Sequence, residues 1–172
     1  MSIIIKSVQE SEHYKQQLNK IKVFVCATAS GKSVLCQQDD RFFDLDKWGA
    51  ELLHRGFPDF AERTLPKAEE MLRQGKIVIN AFHSGFLKYL DENNIPFCTV
   101  FAAPDQVQEY VDRMRKRGSD EKFIQKFGNT TAEKFAERLQ DPRPEFKIIL
   151  NSGEYVSTYL LKIFDKELTK EI

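Results

Sequence analysis

The stretch Cys26-Ala27-Thr28-Ala29-Ser30-Gly31-Lys32-Ser33 decides how the rest of this chain is interpreted. The run before it, Ile21-Lys22-Val23-Phe24-Val25, is rich in apolar, β-branched and aromatic side chains, which is typical of a buried strand. Val34 and Leu35 after it continue toward a helix. A strand, a loop of small residues and a helix that begins near Gly-Lys-Ser form the context of a phosphate-binding loop. The sequence therefore predicts an anion site at residues 28–33.

Each part of this loop has a predicted physical role. Small residues allow successive backbone N–H groups to face one anion, and the start of the helix adds unpaired donors and partial positive charge. Lys32 would reach the β- and γ-phosphates, and the Ser33 hydroxyl would ligate Mg²⁺. The alternative is an ordinary helix start with Ser33 near the cap. Cys26 stands where the usual pattern has its first glycine, which leaves the backbone path of the loop open.

Composition limits the class of protein. A chain of 172 residues with 41% hydrophobic and 30% charged residues is long enough for one well-packed globular domain. Lys+Arg 26 balance Asp+Glu 26, which disfavours a protein that coats nucleic acid but allows a local basic patch. No apolar run approaches the ~20 residues that cross a bilayer or forms a signal-peptide core, so we expect a cytoplasmic protein without membrane association. Three cysteines without C-x-x-C spacing indicate reduced thiols.

Strand and helix patterns alternate along the chain. Five apolar runs are predicted to be strands, at residues 21–25, 41–46, 77–82, 97–101 and 146–150. Residues 3–5 fit either a short strand or a packed tail, and residues 1–20 are interpreted as an addition to the core. The alternation predicts a single domain, residues 1–172, with three α/β/α layers and a five-stranded, mainly parallel sheet. Ligands of such sheets bind beyond the carboxyl ends of the strands.

Two carboxylates lie at the predicted end of the second strand. Asp44 and Asp46 are two residues apart, so on a strand their side chains would point to the same side. Beside a phosphate loop, both are candidate ligands of Mg²⁺ and of substrate, and Asp46 could orient an acceptor and take the proton of its hydroxyl. The alternative is that Asp46 caps the helix that follows.

The densest basic segment lies within residues 105–140, which are predicted to be a helical, lid-like segment with a break near Gly128-Asn129. Arg113 and Arg117 share one face of a helix, whereas Arg115 points elsewhere. Arginines that close over a transferring phosphoryl group stabilise the charge on its oxygens. Arg113 and Arg117 are therefore candidate substrate-binding residues, and Arg117 is also a candidate catalytic residue. A solvated helix face is the alternative.

Two further side chains are candidates for contact with the acceptor. His83 follows the third strand at the same rim, although Ser84 beside it could equally mark the start of a helix. Trp48 could stack on a base, although core packing is the commoner role of such a side chain.

These motifs together resemble a known group of proteins. The Gly-Lys-Ser loop, the Phe43-Asp44-Leu45-Asp46 strand end and the arginine segment are similar to those of the P-loop nucleoside-monophosphate kinase superfamily, in which shikimate kinase and similar enzymes carry an Asp-x-Asp at the second strand. Residues 97–123 and 151–155 resemble small kinase-like proteins of Bacillus-type phages and prophages. The resemblance covers about residues 22–161 and implies that ATP and Mg²⁺ bind and that a hydroxyl or a monophosphate is phosphorylated. The third strand lacks the Asp-Gly usual in these kinases, so the acceptor pocket is expected to differ.

Four functions remain open on these grounds. The first is an ATP- and Mg²⁺-dependent kinase of a nucleotide or nucleoside-like acceptor, with Lys32, Asp46 and Arg117 as catalytic residues. The second is a kinase of a hydroxymethylated base in DNA, which net neutrality disfavours. The third is a non-catalytic protein that binds ATP to fix a conformation recognised by a partner. The fourth is an α/β domain whose loop binds nothing.

Overall fold

The computed structural model describes residues 2–56 and 60–165, with only the backbone described at residues 60–62. A six-stranded sheet lies at its centre, and every strand runs parallel to its neighbours. The strands are β1 (Ile3–Ile5), β2 (Val23–Cys26), β3 (Phe42–Asp44), β4 (Ile77–Asn80), β5 (Cys98–Ala102) and β6 (Phe146–Leu150). Their order across the sheet is β1-β6-β5-β2-β4-β3.

Helices cover both faces of this sheet. They are α1 (Val8–His13), α2 (Lys15–Leu18), α3 (Lys32–Gln38), α4 (Leu45–His54), α5 (Phe60–Arg73), α6 (Ser84–Glu92), α7 (Val107–Lys116), α8 (Glu121–Gln140) and α9 (Val156–Ile163). Val23 and Val25 pack against residues of α4, α5 and α6, while Phe24 and Cys26 pack against residues of α3, α7, α8 and α9. Successive strand residues face opposite sides, so β2 is buried on both faces. This explains its nearly continuous apolar sequence and confirms the predicted α/β layering.

The sheet has one strand more than predicted. Ile3 and Ile5 of β1 align with Phe146 and Ile148 of β6, and Ile5 is fully buried. Leu18, at the end of α2, is also fully buried in the main core. The prediction of five strands is therefore wrong, because three apolar residues are too short a run to distinguish an edge strand from a packed tail. Within the described part of the chain, this N-terminal segment belongs to the sheet and its core.

The segment between β5 and β6 is helical, as predicted, but without the predicted break. Helix α8 continues through Gly128-Asn129. A Cβ atom on Gly128 would lie 3.6 Å from Cγ2 of Val111 on α7, so the glycine lies where two helices approach closely. Glycine inside a helix costs about 1 kcal/mol relative to alanine, which does not end a helix that packs along its length. Residues 121–140 therefore present one continuous face.

The carboxyl ends of β2 and β5 define where a ligand can bind. The chain leaves β2 toward β3 and β4 on one side of the sheet, and it leaves β5 toward β6 on the other. Connections that diverge from neighbouring parallel strands leave a crevice between them.

None of the described helices combines the length and the apolar character needed to cross a membrane.

Candidate functional site

Residues 27–31 turn tightly between β2 and α3. Ala29 and Gly31 have left-handed backbones, with φ angles of 61° and 92°. Ser30 is fully buried, and its hydroxyl donates a hydrogen bond to the carbonyl of Ala27 at 2.5 Å. The predicted turn from strand to helix is therefore present. The left-handed conformation of Ala29 costs about 1–2 kcal/mol, and backbone strain of this kind tends to occur at functional sites.

Cys26 does not disturb the path of this loop. It is the last residue of β2 and is not among the residues with positive φ, so glycine is not required at this position. Its side chain is buried in the main core, and this burial raises the pKa of the thiol to about 12. The unusual backbone angles occur further along the turn, at Ala29 and Gly31.

Arg113 joins the loop to the residues that precede α9. Its guanidinium donates hydrogen bonds to the carbonyl oxygens of Ala29 at 3.2 Å and of Glu154 at 2.8 Å. It also lies 4.0 Å from the ring centroid of Tyr155, and only 11% of its side chain is exposed. Arg113 was predicted to bind substrate. In the structure it lies at the cavity wall, and its guanidinium group is hydrogen-bonded to two backbone carbonyls. Such a planar fork fixes the orientation of both partners.

The start of α9 supports the same loop. The backbone N–H of Val156 donates to the carbonyl of Ser30 at 2.9 Å. A Cβ atom on Gly31 would lie 3.1 Å from Cδ1 of Tyr155, which is tighter than ordinary van der Waals contact. The loop is therefore packed against residues that are more than a hundred positions away in sequence.

Lys32 lies directly after the turn, at the start of α3. The residue is 9% exposed, and its ammonium group is 3.2 Å from the carbonyl oxygen of Ala27 and 3.5 Å from that of Cys26. An ammonium group has three donors, so one remains for another acceptor. Lys32 also lines the cavity described below, which places its charge beside the loop and next to that space.

Asp44 and Ser33 are in contact at the edge of the loop. The Ser33 hydroxyl donates to Oδ2 of Asp44 at 3.1 Å, and Oδ1 of Asp44 accepts from the backbone N–H of Lys47 at 2.9 Å. Asp44 therefore caps α4, the role considered for Asp46. The prediction that Asp44 and Asp46 share one side of a strand is wrong, because β3 ends at Asp44 and Asp46 lies in the first turn of α4.

Asp46 nevertheless faces the cavity. Its Oδ1 lies 3.6 Å from Nε2 of His83, the residue that precedes α6. The contact with His83 lowers the pKa of Asp46, partial burial opposes this change, and the positive charges of Lys32 and Arg117 lower the pKa further. Asp46 is consequently an ionised carboxylate near neutral pH, surrounded by groups of opposite charge.

A cavity of about 1070 Å³ opens beside the loop, between the end of β4 and the helices α7 and α8. Drug-sized ligands occupy pockets of roughly 300–1,000 Å³, so this cavity is at the upper end of that range. Asp46 is the one carboxylate among the described residues that line it. Its basic lining residues are Lys32, Arg113, Lys116, Arg117, Lys126, Lys134 and Arg138. The chain as a whole has no net charge, so the cavity concentrates positive charge.

Most predicted site residues meet at this cavity. Those that line it are Thr28, Ala29, Gly31, Lys32, Ser33, Asp46, His83, Arg113 and Arg117. Arg117 is exposed, and its Nε donates to the Ser119 hydroxyl at 3.1 Å. Ser30 is buried beneath the loop. Asp44 and Trp48 line a separate pocket of about 310 Å³ that shares Ser33 with the cavity. There Trp48 packs against the core and lies 5.5 Å from the ammonium of Lys67.

Sequence reasoning missed the contribution of α8. Lys126, Lys134 and Arg138 line the cavity from this helix, together with Thr130. Their positions differ by multiples of four, a spacing that places side chains along one face of a helix. This signal was present in the sequence, but the predicted break at Gly128-Asn129 divided the helix.

The donors near the loop fit a magnesium ion only in combination with a phosphate ligand. No group of three or more His, Cys, Asp or Glu side chains suited to a metal occurs in the described part of the chain. Mg²⁺ usually binds through one or two carboxylates, several waters and the phosphates of a substrate. The Ser33 hydroxyl in contact with the Asp44 carboxylate supplies such a partial set.

Comparisons with known proteins gave no match among protein-family models, curated proteins or solved structures. The arrangement itself defines an α/β protein with a strained loop at the end of its central strand and a basic cavity beside that loop.

Proposed function

We propose that this protein is an ATP- and Mg²⁺-dependent kinase that transfers the γ-phosphate to a nucleotide or nucleoside-like acceptor. One observation carries the proposal: the tight loop at residues 27–31, with Lys32 beside it, opens into a cavity with seven basic side chains and one carboxylate. A site of this charge suits a ligand with several phosphate groups, and the carboxylate suits a proton acceptor.

The residues divide into three roles. The backbone of residues 28–33 and the ammonium of Lys32 hold the phosphates of ATP, because α3 begins there and leaves its first N–H groups without partners inside the helix. Arg117 lies across the cavity and offsets the charge that spreads over the transferring group. Asp46 orients the acceptor hydroxyl, and His83 supports the position of its carboxylate.

In the transfer itself, a bond forms between the acceptor oxygen and the γ-phosphorus while the bond from that phosphorus to the β–γ bridging oxygen breaks. Where the acceptor group is a hydroxyl, its proton passes to Asp46, whereas a monophosphate attacks through an oxygen that is already ionised. In both cases ADP leaves with the bridging oxygen. Ser33 and Asp44 would hold Mg²⁺. The ion, when bound, neutralises part of the phosphate charge.

Binding of ATP is the first test. At a concentration of 100 times its Kd, ATP with Mg²⁺ should stabilise the protein by about 2.7 kcal/mol, which calorimetry detects as a higher melting temperature. Lys32→Met keeps the apolar stem of the side chain and removes its charge, so we expect the stabilisation to be lost.

Lys147 provides a matched control for this substitution. It is 4% exposed, its ammonium donates to the carbonyl of Leu139, and it does not line the cavity. Lys147→Met should therefore alter the stability of the free protein and leave the gain from ATP unchanged. Absence of any thermal shift in the wild-type protein, or an equal shift in Lys32→Met, contradicts the proposal.

Turnover is the second test. ADP release should depend on one acceptor from a panel of deoxynucleoside monophosphates and hydroxylated metabolites, and Asp46→Asn should lower kcat by about 10²-fold or more. Binding of ATP without turnover with any acceptor would instead favour the non-catalytic ATP-binding protein. The position of Asp46 in the cavity, near Lys32 and Arg117, is the observation that favours the enzyme.

A further inference from the structure

One wall of the cavity is built by α8 and is not explained by ATP binding at the loop. We define the α8 ridge as the cavity-lining side chains Phe123, Lys126, Phe127, Lys134 and Arg138. Because α8 is continuous, the three cations are spaced along about 18 Å of helix, at a rise of ~1.5 Å per residue. The ridge therefore offers an extended row of positive charge.

In the part of the chain that the structure describes, the cations of the ridge have no ion-pair partners. No carboxylate of the described residues forms an ion pair with Lys126, Lys134 or Arg138. The acidic side chains of the same helix, those of Glu121, Glu133 and Glu137, do not line the cavity. Positive charges that face a cavity and have no carboxylate partners are suited to binding an anionic ligand.

Arg138 is the clearest example of a ridge cation that is available to an anionic ligand. Its guanidinium carbon lies 3.7 Å from the ring centroid of Phe82 and 5.5 Å from that of Phe135. Burial lowers the pKa of Arg138 to about 10, although the nearby charge of Glu137 opposes this. The group is still charged near neutral pH, and stacking on Phe82 fixes its plane while leaving its N–H groups available.

Aromatic side chains are interleaved with these cations. Phe123 is 47% exposed at the cavity, and Phe127 lies one turn further along, partly packed against the core. A basic groove with exposed aromatic rings is the combination that binds single-stranded nucleic acid: the cations follow the phosphates and the rings stack on the bases.

We propose that the α8 ridge binds a short stretch of single-stranded nucleic acid, with Lys126, Lys134 and Arg138 on phosphates along the strand and Phe123 on a base. The number and spacing of the cations favour an oligonucleotide over a single phosphorylated metabolite. One monophosphate carries about two negative charges and meets one part of an 18 Å row, whereas a strand places a charge at each step. Binding of nucleic acid to the ridge does not require phosphoryl transfer. The end of a bound strand would, however, lie in the same cavity in which the proposed kinase binds its acceptor.

Salt dependence of binding provides the test. Fluorescence anisotropy with labelled oligothymidylates, from the dinucleotide to the octanucleotide, should show affinity that rises with length and then levels off. Between about 50 and 200 mM salt, the slope of log K against log salt should be about −2, since each phosphate contact on a single strand contributes about −0.7. Lys126→Ala, Lys134→Ala and Arg138→Ala should each reduce the slope by about 0.7. Phe123→Ala should weaken binding about fivefold with an unchanged slope.

Two controls make the result specific. Lys122→Ala removes a cation of the same helix that does not line the cavity, and it should leave the slope unchanged. The anisotropy is measured without ATP and without any acceptor, so failure of the kinase proposal does not affect this test. Thymidine monophosphate that competes as tightly as the longest oligonucleotide would overturn the proposal, as would a slope that the three ridge substitutions do not change.

Discussion

Gly31→Ala tests whether the backbone of the loop is the anion site. At a φ of 92°, alanine costs about 1–2 kcal/mol relative to its preferred conformations. The new Cβ would also lie 3.1 Å from the ring of Tyr155, so the ring must move by a few tenths of an ångström. That ring stacks on Arg113, which holds the carbonyl of Ala29. The substitution should therefore change the loop as well as lower the stability.

Gly75→Ala is the matched control. Gly75 follows α5 with a φ of 78°, where a Cβ atom would meet nothing within 4 Å. The backbone N–H of Gly75 donates to Leu72 and that of Lys76 to Met71, a pattern that commonly ends helices and favours glycine. Its replacement should cost the same ~1–2 kcal/mol of backbone strain and lower the melting temperature by about 2–4 °C per kcal/mol. The loop and its contacts stay unchanged.

The two variants should differ in their response to ATP. A tenfold weaker affinity in Gly31→Ala corresponds to about 1.4 kcal/mol. At an ATP concentration of 100 times the wild-type Kd, the gain in stability would then fall from about 2.7 to about 1.4 kcal/mol, whereas Gly75→Ala should keep the full gain. Titration calorimetry measures the same affinities directly. If Gly31→Ala binds ATP as tightly as Gly75→Ala, the peptide groups of the loop do not bind the phosphates, and the reasoning fails.

Three further predictions concern single side chains. Arg113→Lys keeps the charge but loses the fork that joins two carbonyls, so calorimetry should show a lower melting temperature and a smaller gain from ATP; unchanged values would mean that charge alone suffices. The pKa of Asp46 lies below its ordinary value of 3.8, so its contacts add stability above pH 3.8 that is lost as the pH falls through the lower folded-state pKa. Urea unfolding of the wild type and of Asp46→Asn should accordingly differ at neutral pH and converge only in that acid range. Burial raises the pKa of Cys26 and of Cys36 to about 12 and that of Cys98 well above its ordinary value, so Ellman's reagent should react slowly with the native protein and rapidly once it is unfolded; fast native reaction would contradict this.

The buried strands could be predicted from sequence because their environment leaves a simple pattern. β2 and β4 lie between other strands with helices on both faces, so nearly every residue is apolar, as in Ile77-Val78-Ile79. The turn after β2 was predictable for a related reason, since a run of small residues with a glycine between a buried strand and a helical pattern allows a tight turn. For residues 3–5 the sequence left a short strand and a packed tail as alternatives, because an edge strand of three residues needs only one buried side chain, that of Ile5.

The geometry of Asp46 could not be predicted because it depends on where a strand ends. If β3 were two residues longer, the side chains of Asp44 and Asp46 would lie on the same face of the strand. The side chain of Asp44 instead accepts from the N–H of Lys47 and begins α4 at Leu45. A residue at the end of a strand can extend it or cap a helix, and this competition is decided by the packing of Leu45, which is fully buried. Asp46 reaches the cavity from the first turn of that helix.

Positive charge is concentrated at the loop and along the rest of the cavity. A chain with 26 basic and 26 acidic side chains has no net attraction for anions at long range. Seven cations and one carboxylate of the described residues line the cavity, so within about one Debye length we expect a local attraction for anions that falls steeply with salt. If the proposed anion binding holds, we expect it to depend on shape as well as on charge, because only a ligand that enters the cavity experiences the field. Exchanging the partners of one surface ion pair, Lys88 and Glu92, should leave anion binding unchanged, whereas Lys116→Glu at the cavity should weaken it.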